Sequence, residues 1–182
     1  NDILIMLGNH DMDRIADVVK DQDPRRVKIA YTLLATMRGI PQVFYGDEYA
    51  MKSADRKLGH STLRMPLPLG EQVTDEMQDM YDYQSRLFQW RKSEEVIHTG
   101  RTMHFMSRDN TYAYFRYNDE EAVFVFVNAS DADRTIPTAH YAEILGKYKP
   151  VGVDVISGKT YDLSQKDITI EPLSSIVVKL EK

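Results

Sequence analysis

The chain has 182 residues, 42% hydrophobic and 28% charged, which suits an ordinary globular protein of one medium domain or one and a half small ones. A formal net charge of -5 with scattered basic residues provides no basic field for nucleic acid. The absence of cysteine excludes disulfides, thiol catalysis and thiolate metal sites but leaves the compartment open, and the apolar runs are too short to span a bilayer.

The first predicted element is a buried strand, Ile3–Leu7, ending in the polar run Gly8-Asn9-His10-Asp11. Asp23-Pro24 then opens a helix, with Asp23 at the N-cap and Pro24 at the first helical position. Val27, Ala30, Tyr31, Leu34, Ala35 and Met37 recur at helical spacing, and Gly39 with Pro41 marks the stop. Val43-Phe44-Tyr45 reads as a second buried strand, followed by Gly46-Asp47-Glu48. Strand, helix and strand in so short a span make a βαβ unit with parallel pairing. A long loop runs from Ala50 to Val73, a length usually tied to function. Thr74 caps a strong helix whose stripe of Met77, Met80, Tyr81, Gln84, Leu87, Phe88 and Arg91 reads as core packing.

From Ile97 the pattern changes to successive short strands: Thr102–Ser107, Thr111–Tyr117, Ala122–Asn128, Val151–Ile156 and Ser174–Leu180. Tyr112, Tyr114 and Arg116 alternate with Ala113, Phe115 and Tyr117, as in an antiparallel strand. Asp109-Asn110, Asn118-Asp119 and Ser157-Gly158 supply the turns, so a small antiparallel sandwich is expected. The break between the halves falls within Arg91–Thr99, giving segments 1–95 and 96–182.

The chemistry concentrates at the first strand's end. His10-Asp11 there places an imidazole and a carboxylate where parallel α/β architectures carry their active sites. A surface polar pair in a loop is the alternative. Arg14 reads as a ligand contact or as a salt bridge to Asp13 or Asp17. Asp47 and Glu48 either shape a cleft or cap loop amides, and His60 and Arg64 read as a solvated loop before a ligand contact. His98, His104 and His140 have no metal-ligand spacing.

Three motifs in order carry a resemblance: Asn9-His10-Asp11 with Arg14 three residues on, Arg38-Gly39-Ile40-Pro41, and Phe44-Tyr45-Gly46-Asp47-Glu48. Gly59-His60 to Arg64 and the strand Phe124–Asn128 followed by Ala129-Ser130 extend it. Together they resemble the C-terminal third of the alpha-amylase superfamily of glycoside hydrolases, nearest its neopullulanase and cyclomaltodextrinase branch. Gly8, and the stretch Met65-Pro66-Leu67-Pro68 without the tryptophan many relatives have, depart from the pattern and bear on substrate preference.

The resemblance implies an α+β fragment: the last βα units of a (β/α)-barrel, residues 1–95, followed by an antiparallel β-sandwich domain, residues 96–182. It implies that Asp11 is the carboxylate stabilising the transition state, and that His10, with Asn9 and Arg14, binds the sugar. The nucleophile and acid/base would come from upstream strands, so the chain alone is expected to be inactive. The parent is expected to be a retaining hydrolase or transglycosylase acting on α-glucan oligosaccharides. A non-catalytic amylase-like binding or partner-subunit protein is the alternative. No cofactor is implied in this chain, though calcium is possible in the parent. The opening at Asn1, without an initiator Met, fits a piece of a longer polypeptide. Barrel strands without neighbours would expose apolar edges and favour self-association.

Overall fold

The structure is a computed structural model that describes residues 3–182, apart from the side chain of Arg56. It opens with a parallel pair, β1 (Leu4–Met6) and β2 (Ile40–Gln42), in register Leu4↔Ile40 and Met6↔Gln42. A short helix α1 (Ile15–Val18) and the crossover helix α2 (Pro24–Thr36) connect them. The α2 start follows the local code, since the Asp23 carboxylate accepts from the Arg25 amide at 2.9 Å. After α2, Gly39 takes φ +128°, and a Cβ there would meet the Ile3 carbonyl oxygen and Ile5 Cγ2 at 2.9 Å. Only glycine lets the chain turn this close beneath β1.

The second strand lies at Ile40–Gln42 and not at Val43–Tyr45. Pro41, expected to confirm the helix stop, sits within it opposite Ile5. From Val43 onward the backbone leaves the ladder because its carbonyls are used elsewhere. The Phe44 oxygen accepts from the Asp47 amide at 3.1 Å, and the Tyr45 oxygen from the Arg14 guanidinium at 2.9 Å. Gly46 then turns the chain at φ +85°, and a Cβ there would run into the Met51 sulfur.

Helix α3 (Asp75–Ser93) starts at its Thr74 cap and buries Met80, Gln84, Leu87 and Arg91, as the stripe implied. Arg91 donates to the carbonyls of Ala35, Met37 and Gly39, covering the open C-terminal end of α2. Burial pulls the Arg91 guanidinium below its ordinary pKa. A short helix α4 (Glu95–Thr99) leads into the second half and buries Val96 and Ile97.

Strands β3 (Arg101–His104), β4 (Thr111–Tyr117) and β5 (Glu121–Asn128) follow, then β6 (Arg134–Pro137). After helix α5 (Ala142–Leu145) come β7 (Val151–Asp154), β8 (Thr160–Asp162), β9 (Asp167–Ile170) and β10 (Ser174–Glu181). Six of them make an antiparallel sheet in the order β3-β4-β5-β10-β7-β8, and β6 pairs separately with β9. Strands β6, β8 and β9 had no counterpart in the sequence expectation, being only three or four residues long.

Alternation along β5 divides the core in two. Ala122, Phe124 and Phe126 face Ile136, Ile144, Ile168 and Ile170 on the sandwich side. Val123 and Val125 face Ala35, Leu87, Val96 and Ile97 on the helical side. The six-stranded sheet is therefore covered on both faces. At the end of β5, buried Asn128 donates to the carbonyls of Ala132, Ile170 and Glu171, tying the β9–β10 turn to the sheet. Among the described residues no helix is long and apolar enough to cross a membrane.

Candidate active site

The polar run after β1 forms a tight turn. The Met12 amide donates to the Asn9 carbonyl at 3.3 Å, and the Asn9 side-chain oxygen accepts from the Asp11 amide at 2.8 Å. Asn9 thus shapes the turn that presents Asp11, an Asx-type arrangement. His10 Nε2 lies 3.1 Å from Asp11 Oδ2, and the two side chains are 60% and 62% exposed. A contact this exposed adds little stability, and both side chains stand open to solvent just beyond a strand's C-terminal end.

Arg64 lies on the other side of Asp11, with Nη2 3.7 Å from Oδ1. It comes from the long loop, just after the 3-10 segment Arg56–Leu63. As the sequence favoured, the loop is solvated at this point, with the Arg64 side chain 52% exposed, yet it brings the guanidinium beside Asp11, so that the carboxylate stands between it and the His10 imidazole. His60, in the same loop, is exposed.

Arg14 differs from its expected place at the substrate. Its side chain is 0% exposed, and its guanidinium lies 2.8 Å from Asp47 Oδ1. It also donates to the Tyr45 carbonyl at 2.9 Å and the Leu63 carbonyl at 2.7 Å. The Phe44 and Tyr45 rings lie 4.7 and 5.3 Å from its Cζ. No surface is left for a sugar, so a direct substrate contact by Arg14 is corrected to a buried structural role. Its partner is Asp47, not Asp13 or Asp17; Asp17 accepts from the Ser53 amide and hydroxyl.

Asp47 is 1% exposed, and its second oxygen accepts from the Tyr31 hydroxyl at 2.9 Å. Burial pushes its carboxyl up, opposed by the bonds from Tyr31 and Arg14. Burial together with the neighbouring carboxylate raises the Tyr31 phenol well above its ordinary value. Asp47 is therefore a core carboxylate, whereas Glu48 lines a 440 Å³ cleft with Tyr45, Tyr81 and Phe88. A larger cavity of 620 Å³, lined by Met51, Met65, Met77 and Met80, lies beneath the long loop. Among the described residues, no three His, Cys, Asp or Glu side chains converge in a way that would hold a metal ion.

Residues 2–135 match the alpha amylase catalytic domain family, and residues 102–179 match the cyclo-malto-dextrinase C-terminal domain family. A 4-alpha-glucanotransferase of Thermotoga maritima is 26% identical over 148 residues, covering 68% of this chain and 34% of the relative. A cyclomaltodextrin glucanotransferase of Geobacillus stearothermophilus is 25% identical over 160 residues, covering 80% of this chain and 20% of the relative. The crystal structure of the alpha-amylase from Geobacillus thermoleovorans complexed with acarbose superposes with a TM-score of 0.75 at 17% identity. That superposition covers 100% of this chain and 39% of the amylase. The chain spans about a fifth to a third of the length of these curated relatives. It belongs to the alpha-amylase family and carries a fragment of the catalytic domain joined to an antiparallel C-terminal domain.

Proposed function

We propose that this chain supplies the transition-state-binding corner of a retaining α-glucan hydrolase or transglycosylase. The observation that carries this is Asp11 itself: a family-motif carboxylate, open to solvent, at the C-terminal end of a parallel strand, with its backbone held by Asn9. In this reading the Asp11 oxygens accept hydrogen bonds from hydroxyls of the reacting ring. Those bonds strengthen as the ring flattens toward the oxocarbenium ion, which lowers the barrier without tightening ground-state binding. His10 donates to a neighbouring hydroxyl of the same ring. Asn9 acts through the turn, and Arg14 through the scaffold.

Retaining chemistry also needs a nucleophile and an acid/base about 5–5.5 Å apart. In this proposal those carboxylates lie outside the chain, residues 1–95 complete a barrel, and 96–182 form the C-terminal domain. The names of the relatives, which concern glucanotransfer and cyclomaltodextrins, support α-glucan oligosaccharides as the substrate class. Ile3, Leu4 and Ile40 are 73%, 51% and 55% exposed, so the β1–β2 pair would be buried by the rest of a barrel or, in the isolated chain, by self-association.

The test is Asp11→Asn in the full-length enzyme, assayed on maltodextrin. Loss of a transition-state contact lowers kcat by about 10²–10³-fold, with KM changing far less. A near-normal kcat would reject the role assigned to Asp11, whereas no turnover by the unmutated full-length protein would favour the non-catalytic alternative. The isolated chain is expected to show no turnover of maltodextrin, cyclodextrin or pullulan; activity above blank would reject its dependence on outside carboxylates.

A further inference from the structure

Asp11 and Arg64 face one another across two loops that share no secondary structure, yet both are chained to one buried point. Arg14 follows Asp11 by three residues, and its guanidinium holds the carbonyl of Leu63, the residue before Arg64, at 2.7 Å. Leu63 is itself only 2% exposed. The same guanidinium binds Asp47 and the Tyr45 carbonyl. Asp47 is held by Tyr31 from α2, and its backbone oxygen accepts from Gln84 of α3 at 2.9 Å. Asp47 also lies directly under the motif: a Cβ at Gly8 would stand 3.5 Å from Asp47 Oδ2.

We propose that the buried Arg14–Asp47–Tyr31 network is the positioning device of the site. It fixes the long loop so that Arg64 stands against Asp11 and the carboxylate presents one orientation to the sugar. The proposal rests on the reading of Asp11 given above. Arginine is required because its fork spans two acceptors at once, Asp47 and the Leu63 carbonyl, where a lysine ammonium is a single point charge. None of the network touches substrate. Arg14 is a positioning residue, and its effect passes through Arg64.

The experiment begins with Arg14→Lys in the full-length enzyme. Lysine keeps the charge beside Asp47 but releases Leu63, so kcat falls about 10- to 100-fold, as for a small misplacement of a reacting group, with a smaller change in KM. Arg14→Met with Asp47→Leu removes both buried charges. Its thermal stability should exceed that of Arg14→Met alone, while kcat stays low because the loop remains untethered. A wild-type kcat in either variant overturns the proposal.

A second measurement needs no activity. The chain has no cysteine, so Met12→Cys and Met65→Cys, at exposed positions flanking Asp11 and Arg64, accept nitroxide labels cleanly. One narrow, close separation in continuous-wave spectra is expected with Arg14, and a broad, longer distribution with Arg14→Lys. Identical spectra overturn the proposal even if the double variant does not fold. Failure of Asp11→Asn to reduce kcat would instead remove the reading beneath it, so the two failures are distinct.

Discussion

Phe124 and Ile40 are both apolar residues in strands, yet one is 0% exposed and the other 55%. The contrast runs through the molecule. In the six-stranded sheet, β5 has neighbours on both edges and side chains packed on both faces. In the opening pair, β1 and β2 have, among the described residues, only each other as strand neighbours, with Ile3 and Leu4 largely open to solvent. The C-terminal half closes its core from its own residues and from α2, α3 and α4. The β1–β2 segment carries an apolar surface that none of the described residues covers, whereas the polar network around Arg14 is buried.

The largest effect that probes this contrast is in the closed half. Phe124→Ala removes a ring packed between Phe115 and Tyr141 and should cost about 3–5 kcal/mol in denaturant unfolding. A loss below about 1 kcal/mol would mean that the sandwich core is not rigidly packed.

Alkaline titration gives a smaller effect and spans both halves. Burial raises the phenols of Tyr31 and Tyr114, and that of Tyr141 to about 12. Burial by itself lowers Lys179, but its bonds to Glu94 and Glu121 outweigh this and hold it above its ordinary value. Each group therefore keeps its proton longer folded than unfolded. The stability this gives is fully present below the unfolded value, near 10, and is lost as pH rises through the folded value. For Tyr141 the slope should approach about 1.4 kcal/mol per pH unit between about pH 10 and 12, and Tyr141→Phe should flatten it. A melting temperature constant from pH 9 to 12 would contradict this burial.

The smallest effect tests the open half. Ile40→Thr in the isolated chain, measured at a dilution that keeps it monomeric, should change stability by no more than about 0.5 kcal/mol, as at an ordinary surface position. In the full-length enzyme the same change should cost distinctly more, because the side chain would there be covered. Equal costs in the two settings would refute the expectation that Ile40 belongs to an interrupted core.

Sequence legibility follows the range of the forces involved. Helix starts at Asp23 and Thr74 were readable because a cap is a bond between near neighbours. The stripe on α3 and the alternation in β4 were readable because one buried face imposes its own period. Strand β2 was displaced by three residues in the sequence reading, because the apolar run Val43-Phe44-Tyr45 looks like a strand until a distant arginine takes its carbonyl. Short strands such as Thr160–Asp162 carry too little pattern to stand out.

The sequence by itself determined the family, the two-part architecture and the identity of the strand-end residues Asn9, His10 and Asp11. Those are properties of local order and motif. Only the tertiary structure decided that Arg14 is sealed against Asp47 and that Arg64 reaches Asp11. Asp47 lies 33 positions along the chain from Arg14, and Leu63 lies 49. A charged side chain tolerates full burial only where partners satisfy it. Here those partners lie in separate segments that only folding brings together.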